Sequence, residues 1–229
     1  MSQLEAFQIS GNSFTGDVPS FQEMSNLQWF ILIENYLGSG QANDLDFPCS
    51  LTNCTYLRYL DIGENNFGEA VPKFIGNLSI TLYELVLQVN ALSGAIPSSI
   101  ANLINLEVLS LSEKKYFRNS LQGTIPSSLG MLQRLELLDL AKNKLAGAIP
   151  PEIMSLSSLS IYANFSDYNL AGELPREIEN LKNLGHLHLF GNRLSGEIPN
   201  TLGSSISLEY LYMQGNMFTG PIPLTLSSH

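Results

Sequence analysis

The chain has 229 residues, 14% of them charged and 44% hydrophobic, with a formal net charge of −10. That apolar content excludes a disordered chain, and the acidic balance argues against nucleic acid as a partner. No apolar run approaches the ~20 residues of a membrane-spanning helix, and the first residues, MSQLEAFQIS, show neither the basic nor the apolar region of a signal peptide.

One short pattern recurs along the chain. Its clearest copy runs from Leu184 to Pro199 and reads L-x-x-L-x-L-x-x-N-x-L-x-G-x-I-P. The alternation of Leu187 and Leu189 predicts a short strand with one buried face. Asn192 falls where that strand must bend, and its amide can bond to peptide groups the bend leaves unpaired. Gly196 and Pro199 mark a second turn. Anchored on the asparagine, the copies fall at Asn12, Asn35, Asn65, Asn90, Lys114, Asn143, Asp167, Asn192 and Asn216, between 23 and 30 residues apart.

Taken in order, residues 1–22 open within a repeat, with Leu4, Phe7 and Ile9 already at apolar positions and no polar cap before them. Repeat two carries Phe30, Leu32 and Asn35 but loses its Gly-x-Ile-Pro ending, replaced by an irregular stretch over 38–54. Asp44 or Asp46 could cap a short helical turn there, running through Leu51. Cys49 and Cys54 share this stretch, either as a disulfide closing its loop or as two small thiols. In repeat five, removing Lys114–Arg118 joins Glu113 to Asn119 and restores the template, so 114–118 reads as a loop inserted at the strand's end. Repeat seven has two registers. Counting from Pro150 places Tyr162 and Asn164 in the buried pair and Asp167 at the asparagine position. Counting from Gly172 needs one more residue, with a bulge within 161–168 that buries Ile161 or Phe165 instead. Repeats eight and nine are regular, and no cap follows.

A unit of this kind cannot bury its leucines alone and must stack on its neighbours. The expected fold class is α/β: a right-handed leucine-rich-repeat solenoid, a horseshoe or superhelix, with one parallel sheet on its concave face. It forms one unit over 1–229, uncapped at both ends. Residues between the strand leucines point outward and stack into columns. The first reads Ala6, Trp29, Tyr59, Glu84, Val108, Leu137, Ile161, His186, Tyr210; the second Gln8, Ile31, Asp61, Val86, Ser110, Asp139, Ala163, His188, Tyr212. Phe165 and Phe190 fall in the next. A purely structural face would carry small polar side chains, whereas Trp29, Tyr59, His186, His188, Phe190, Tyr210 and Tyr212 are large. Together with Asp61, Glu84 and Asp139 they make the expected ligand-binding face, acidic and aromatic, suited to a peptide or protein with basic and apolar groups.

No phosphate loop, zinc-protease helix or serine-nucleophile elbow occurs. His186 and His188 share a face without a third ligand, so no metal, cofactor or enzymatic activity is expected. Three N-x-S/T sequons, at Asn53, Asn77 and Asn164, are glycosylation candidates in a secreted setting.

The Leu-x-Gly-x-Ile-Pro ending resembles the plant-specific class of leucine-rich repeats, in which it adds a second short strand. Leu37-Gly38-Ser39-Gly40, Asp44-Leu45-Asp46-Phe47, Ser50-Leu51-Thr52-Asn53-Cys54-Thr55 and Ile75-Gly76-Asn77-Leu78-Ser79 resemble a subfamily of plant receptor-like serine/threonine kinases that includes immune receptors. The resemblance implies an extracellular ligand-sensing segment at the plasma membrane, with a co-receptor, whose membrane span and kinase lie in sequence absent here. It reads as an internal segment of such an ectodomain or a truncated paralogue. The alternatives are a secreted polygalacturonase-inhibitor-like defence protein and an intracellular scaffold.

Overall fold

The computed structural model describes residues 3–41, 43–113 and 119–227. Its inner strands are β1 (Ala6–Gln8), β2 (Trp29–Ile31), β3 (Tyr59–Asp61), β4 (Glu84–Val86), β5 (Val108–Ser110), β6 (Leu137–Asp139), β7 (Tyr162–Asn164), β8 (His186–His188) and β9 (Tyr210–Tyr212). Each pairs in parallel with the next, giving a nine-stranded sheet in chain order. The three-residue strands put their middle residue inward, and the register aligns Phe7, Phe30, Leu60, Leu85, Leu109, Leu138, Ala163, Leu187 and Leu211. From Phe30 to Leu187 these are buried in one continuous core, and only Phe7 and Leu211, in the outermost strands, remain half-exposed.

The asparagines close each bend and tie each repeat to the one before. Asn192 Nδ2 donates to the carbonyls of Leu189, Phe190 and, in the preceding repeat, Phe165, while its Oδ1 accepts from the Leu170 amide. Asn35, Asn65, Asn90 and Asn143 make the same four-way connection. A buried amide satisfied on both sides is held far more tightly than one in water, because losing any partner leaves a desolvated group behind. In repeat five this place is taken by Asn119, bonded to Leu87, Leu111, Ser112 and Leu92, and not by Lys114. The loop assigned to 114–118 lies outside the described residues.

A second row of short strands follows the bends. Gln122–Gly123, Lys144–Gly147, Asn169–Glu173, Arg193–Glu197 and Met217–Thr219 form a five-stranded sheet, while Thr15–Gly16 pairs with Tyr36–Leu37 and Gly68–Ala70 with Ala91–Ser93. The sheets separate between Tyr36–Leu37 and Gly68–Ala70 and between Ala91–Ser93 and Gln122–Gly123, where backbone bonds still join neighbours: the Asn66 amide donates to the Leu37 carbonyl at 2.8 Å and the Gln122 amide to the Gly94 carbonyl at 2.7 Å.

The irregular stretch does contain a helical turn, Phe47–Asn53, but neither aspartate caps it with its side chain. Asp44 instead turns back, accepting from the amides of Ser39, Gly40 and Gln41, the Ser39 hydroxyl, and the Gly68 amide of the next repeat. The cysteines do not pair. The turn leaves Cys49 exposed, while Cys54 is buried with its Sγ against the Met24 carbonyl at 3.2 Å.

Repeat seven takes the register counted from Gly172. The additional residue is absorbed at strand entry: the amides of Ser160 and Ile161 both bond to Glu136, and Ile161 stays half-exposed while Ala163 and Phe165 fill the core. The asparagine position therefore falls on Tyr168, not Asp167. Tyr168 is buried, and its hydroxyl has no hydrogen-bond partner among the described residues. A buried hydroxyl left unsatisfied costs roughly 1–3 kcal/mol. Tyr168→Phe should therefore raise stability by about 1 kcal/mol, read as a melting temperature ~2–4 °C higher for a chain of this size. A lower melting temperature would mean that the hydroxyl is bonded after all.

Candidate ligand-binding face

The concave face is built by repetition. Strand pairing makes the first outward column Ala6, Trp29, Tyr59, Glu84, Val108, Leu137, Tyr162, His186, Tyr210, and the second Gln8, Ile31, Asp61, Val86, Ser110, Asp139, Asn164, His188, Tyr212. The shift in repeat seven removes Ile161, Ala163 and Phe165 from the columns and brings in Tyr162, Asn164 and Ser166. Tyr162 is the site residue that counting from Pro150 missed; counting back from Gly172 finds it.

Toward the chain's beginning the face is acidic. Trp29 and Tyr59 stack with parallel rings, centroids 6.0 Å apart, and Arg58 lies over the Tyr83 ring at 5.8 Å. Asp61 lies on the same face of β3, two residues beyond Tyr59, which itself sits opposite Glu84, and its Oδ1 accepts from the Gly63 amide at 2.9 Å. Burial pushes the Asp61 carboxyl up to about 6; the Gly63 bond opposes this, and the charges of Glu84 and Glu64 add to it. Desolvation likewise raises Glu84 and Asp139. Neither Asp61 nor Glu84 has a salt-bridge partner among the described residues.

Toward the chain's end the face is aromatic and uncharged. Tyr162, His186, His188, Tyr210 and Tyr212 form one cluster across β7, β8 and β9: His186–Tyr210 centroids are 4.4 Å apart, His188–Tyr212 4.7 Å and Tyr162–His188 4.9 Å, with Phe190 at 6.1 Å from His188. Asn164 Nδ2 donates to the Tyr162 oxygen at 2.7 Å, and that hydroxyl lies 3.2 Å from His188 Nδ1. Desolvation, then His186, lowers the His188 pKa, so its imidazole is neutral near pH 7; desolvation, then Asp139, pushes Tyr162 up to about 12. Tyr210 and Tyr212 are 46% and 40% exposed, so they face solvent as a contiguous ring surface and not a hidden core. Trp29, Tyr59, His186, His188 and Phe190 are half-buried by their lateral neighbours.

Among the described residues, no group of three His, Cys, Asp or Glu stands close enough to hold a metal. The surface grooves lie off this face; one of about 590 Å³ runs along the outer strands between Leu45, Val71 and Ile96. Of the sequons, Asn53 and Asn77 are exposed at the ends of their helical turns. Asn164, in contrast, is buried and its side chain is fully engaged. It is 6% exposed, its Nδ2 is committed to Tyr162, and its Oδ1 accepts from the amide and hydroxyl of Ser166.

Residues 56–78, 134–156, 183–205 and 207–229 match the Leucine Rich Repeat family. Over 89 residues, 39% of this chain and 9% of the relative, the sequence is 44% identical to the LRR receptor-like serine/threonine-protein kinase EFR of Arabidopsis thaliana. It is 41% identical over 91 residues, 40% of this chain and 9% of the relative, to the receptor kinase-like protein Xa21 of Oryza sativa subsp. japonica. These matches thus span about a tenth of those proteins, within their repeat regions and outside the kinase domain. Among solved structures, the ectodomain of the Arabidopsis receptor kinase HAESA bound to an IDA peptide hormone superposes with a TM-score of 0.86 at 31% identity, over 97% of this chain and 36% of that one. HAESA with IDA and the co-receptor SERK1 gives 0.73 at 26%, over 97% and 39%.

Proposed function

We propose that this leucine-rich-repeat solenoid, homologous over part of its length to the ectodomains of plant receptor kinases, is a non-catalytic ligand-sensing segment of such a receptor. It acts outside the plasma membrane and binds a peptide on its concave face, alongside a co-receptor. The observation that carries this reading is the cluster on β7–β9: solvent-facing rings in mutual contact, on a rigid sheet whose core needs none of them. Large amphipathic rings held in place lose little entropy on binding, which is why they concentrate at interaction hot spots. Kinase chemistry belongs to the longer relatives, and the sequons at Asn53 and Asn77 suit a secreted setting.

A displayed library of random dodecapeptides, panned against the chain, tests the reading. Clones selected on the wild type should lose about tenfold or more in affinity for the triple variant Phe190→Ala, Tyr210→Ala, Tyr212→Ala, roughly 1.4 kcal/mol or more, with the melting temperature unchanged. Equal binding to the variant would move the site off this face. A collapse of folding would assign the rings to the core.

A further inference from the structure

The concave face changes character along its length, and the change carries information about what lies on it. Around β3 and β4 there are two carboxylates without a cationic partner among the described residues, Asp61 and Glu84, beside the stacked rings of Trp29 and Tyr59. Across β7, β8 and β9 the columns carry rings and amides and no charge. Resting on the reading above, we infer that the ligand is a single linear segment lying across the strands, with a cationic side chain over β3–β4 and an aromatic or apolar side chain over β7–β9, about seven residues apart.

The spacing follows from two standard dimensions. From midway between β3 and β4 to β9 is about five and a half strand steps, and parallel neighbours lie about 4.7–4.9 Å apart, giving roughly 26 Å. An extended chain advances about 3.3–3.6 Å per residue, so about seven residues cover that span. The cation follows from charge complementarity. Glu84 and Glu64 both oppose ionisation of Asp61, and a positive group placed between Asp61 and Glu84 relieves that repulsion without moving the backbone. A guanidinium suits the place better than an ammonium, because its flat face stacks on Trp29 or Tyr59 while its edge donates to carboxylates. At the other end an aromatic ring or a proline can lie against Tyr210 and Tyr212, which are stacked side by side with centroids 6.4 Å apart. The uncharged floor there would penalise a buried charge on the ligand.

The wild-type chain, panned with the dodecapeptide library, should yield sequences sharing Arg or Lys and an aromatic or apolar residue about six to eight positions apart. Two synthetic peptides of identical composition then isolate the geometry, one with Arg and Trp seven positions apart in a Gly/Ser background, the other with them three apart. By calorimetric titration the wider spacing should bind about tenfold tighter. Replacing its Arg by citrulline should abolish that advantage on the wild type but change nothing on the double variant Asp61→Asn, Glu84→Gln. Enriched peptides that need Tyr210 and Tyr212 yet show no cation at that spacing would overturn the inference and leave the concave-face reading standing. Enrichment of nothing that needs the face would remove both. A melting curve of each variant confirms that the fold is intact before binding is compared.

Discussion

Replacing Asp44 by alanine is expected to cost about 3–4 kcal/mol of unfolding free energy, an effect near the upper end of what single substitutions do. The carboxylate is 7% exposed and holds four backbone amides and one hydroxyl at 2.8–3.1 Å. Three of those amides belong to consecutive residues, Ser39 to Gln41, whose path no regular strand or helix fixes. The fourth, Gly68, belongs to the following repeat, and a side chain there would run into the Gly40 backbone. Asp44 is therefore the joint between the irregular stretch and the regular stack. Its removal leaves several peptide N–H groups without an acceptor, each worth roughly 1–3 kcal/mol where water cannot replace it.

Asp44→Asn separates the contributions. An asparagine oxygen can still accept, but it serves fewer donors and carries no charge, so about half the loss is expected. The pH dependence has a defined sign. Burial alone would raise the carboxyl, but the bonds from Gly68, Ser39 and Gln41 outweigh it and hold it below its ordinary 3.8. A depressed carboxyl stabilises the fold at every pH above the unfolded value and loses that contribution as the pH falls through the folded one. Urea unfolding at pH 7 should show the full difference between wild type and Asp44→Ala, shrinking below about pH 3.8. A wild-type-like midpoint for the alanine variant would mean that the stretch folds without its joint.

The regular repeats were legible because a two-residue alternation, a buried amide and a Gly-x-Ile-Pro turn impose three independent constraints on the same few residues, and Leu187, Asn192 and Pro199 satisfy all three. Asn119 was legible for the same reason: only it restores the amide ladder once five residues are set aside. Repeat seven was harder. Tyr168 replaces the asparagine, so the strongest of the three constraints is missing, and Pro150 and Gly172 then disagree by one residue. In a strand a one-residue slip exchanges the two faces, which is how Tyr162 and Asn164 were both assigned to the buried pair. Packing settles it: Phe165 is fully buried in the core while Ile161 is left half-exposed. Asp44 and the cysteines lay beyond pattern for another reason: their partners, Gly68 and Met24, are 24 and 30 residues away, and nothing local marks the contact.

Asp61 makes the opposite case to Asp44. It is a carboxylate kept against the fold's own stability. Lifted to about 6 chiefly by burial, with Glu84 and Glu64 adding to the effect and the Gly63 amide opposing it, it holds a proton more tightly in the folded state than in the unfolded one. Linkage then fixes the direction: the unfolding free energy rises as the pH falls from above 6 toward 3.8 and is lower on the alkaline side. A shift of two units corresponds to at most about 3 kcal/mol, and the group's partial exposure brings this to about 2. Asp61→Asn keeps an oxygen for the Gly63 amide while removing the charge. It should therefore stabilise the chain by about 2 kcal/mol at pH 7.5, a melting temperature higher by roughly 4–8 °C, and change little at pH 4. The same gain at both pH values would show that the charge is not its source, and a loss at pH 7.5 would make the carboxylate a structural group. If the gain appears at pH 7.5 alone, the fold is carrying a cost it could shed by one atom's exchange. Selection for stability alone would favour the amide, so such a gain would support the binding role proposed for the acid on this face.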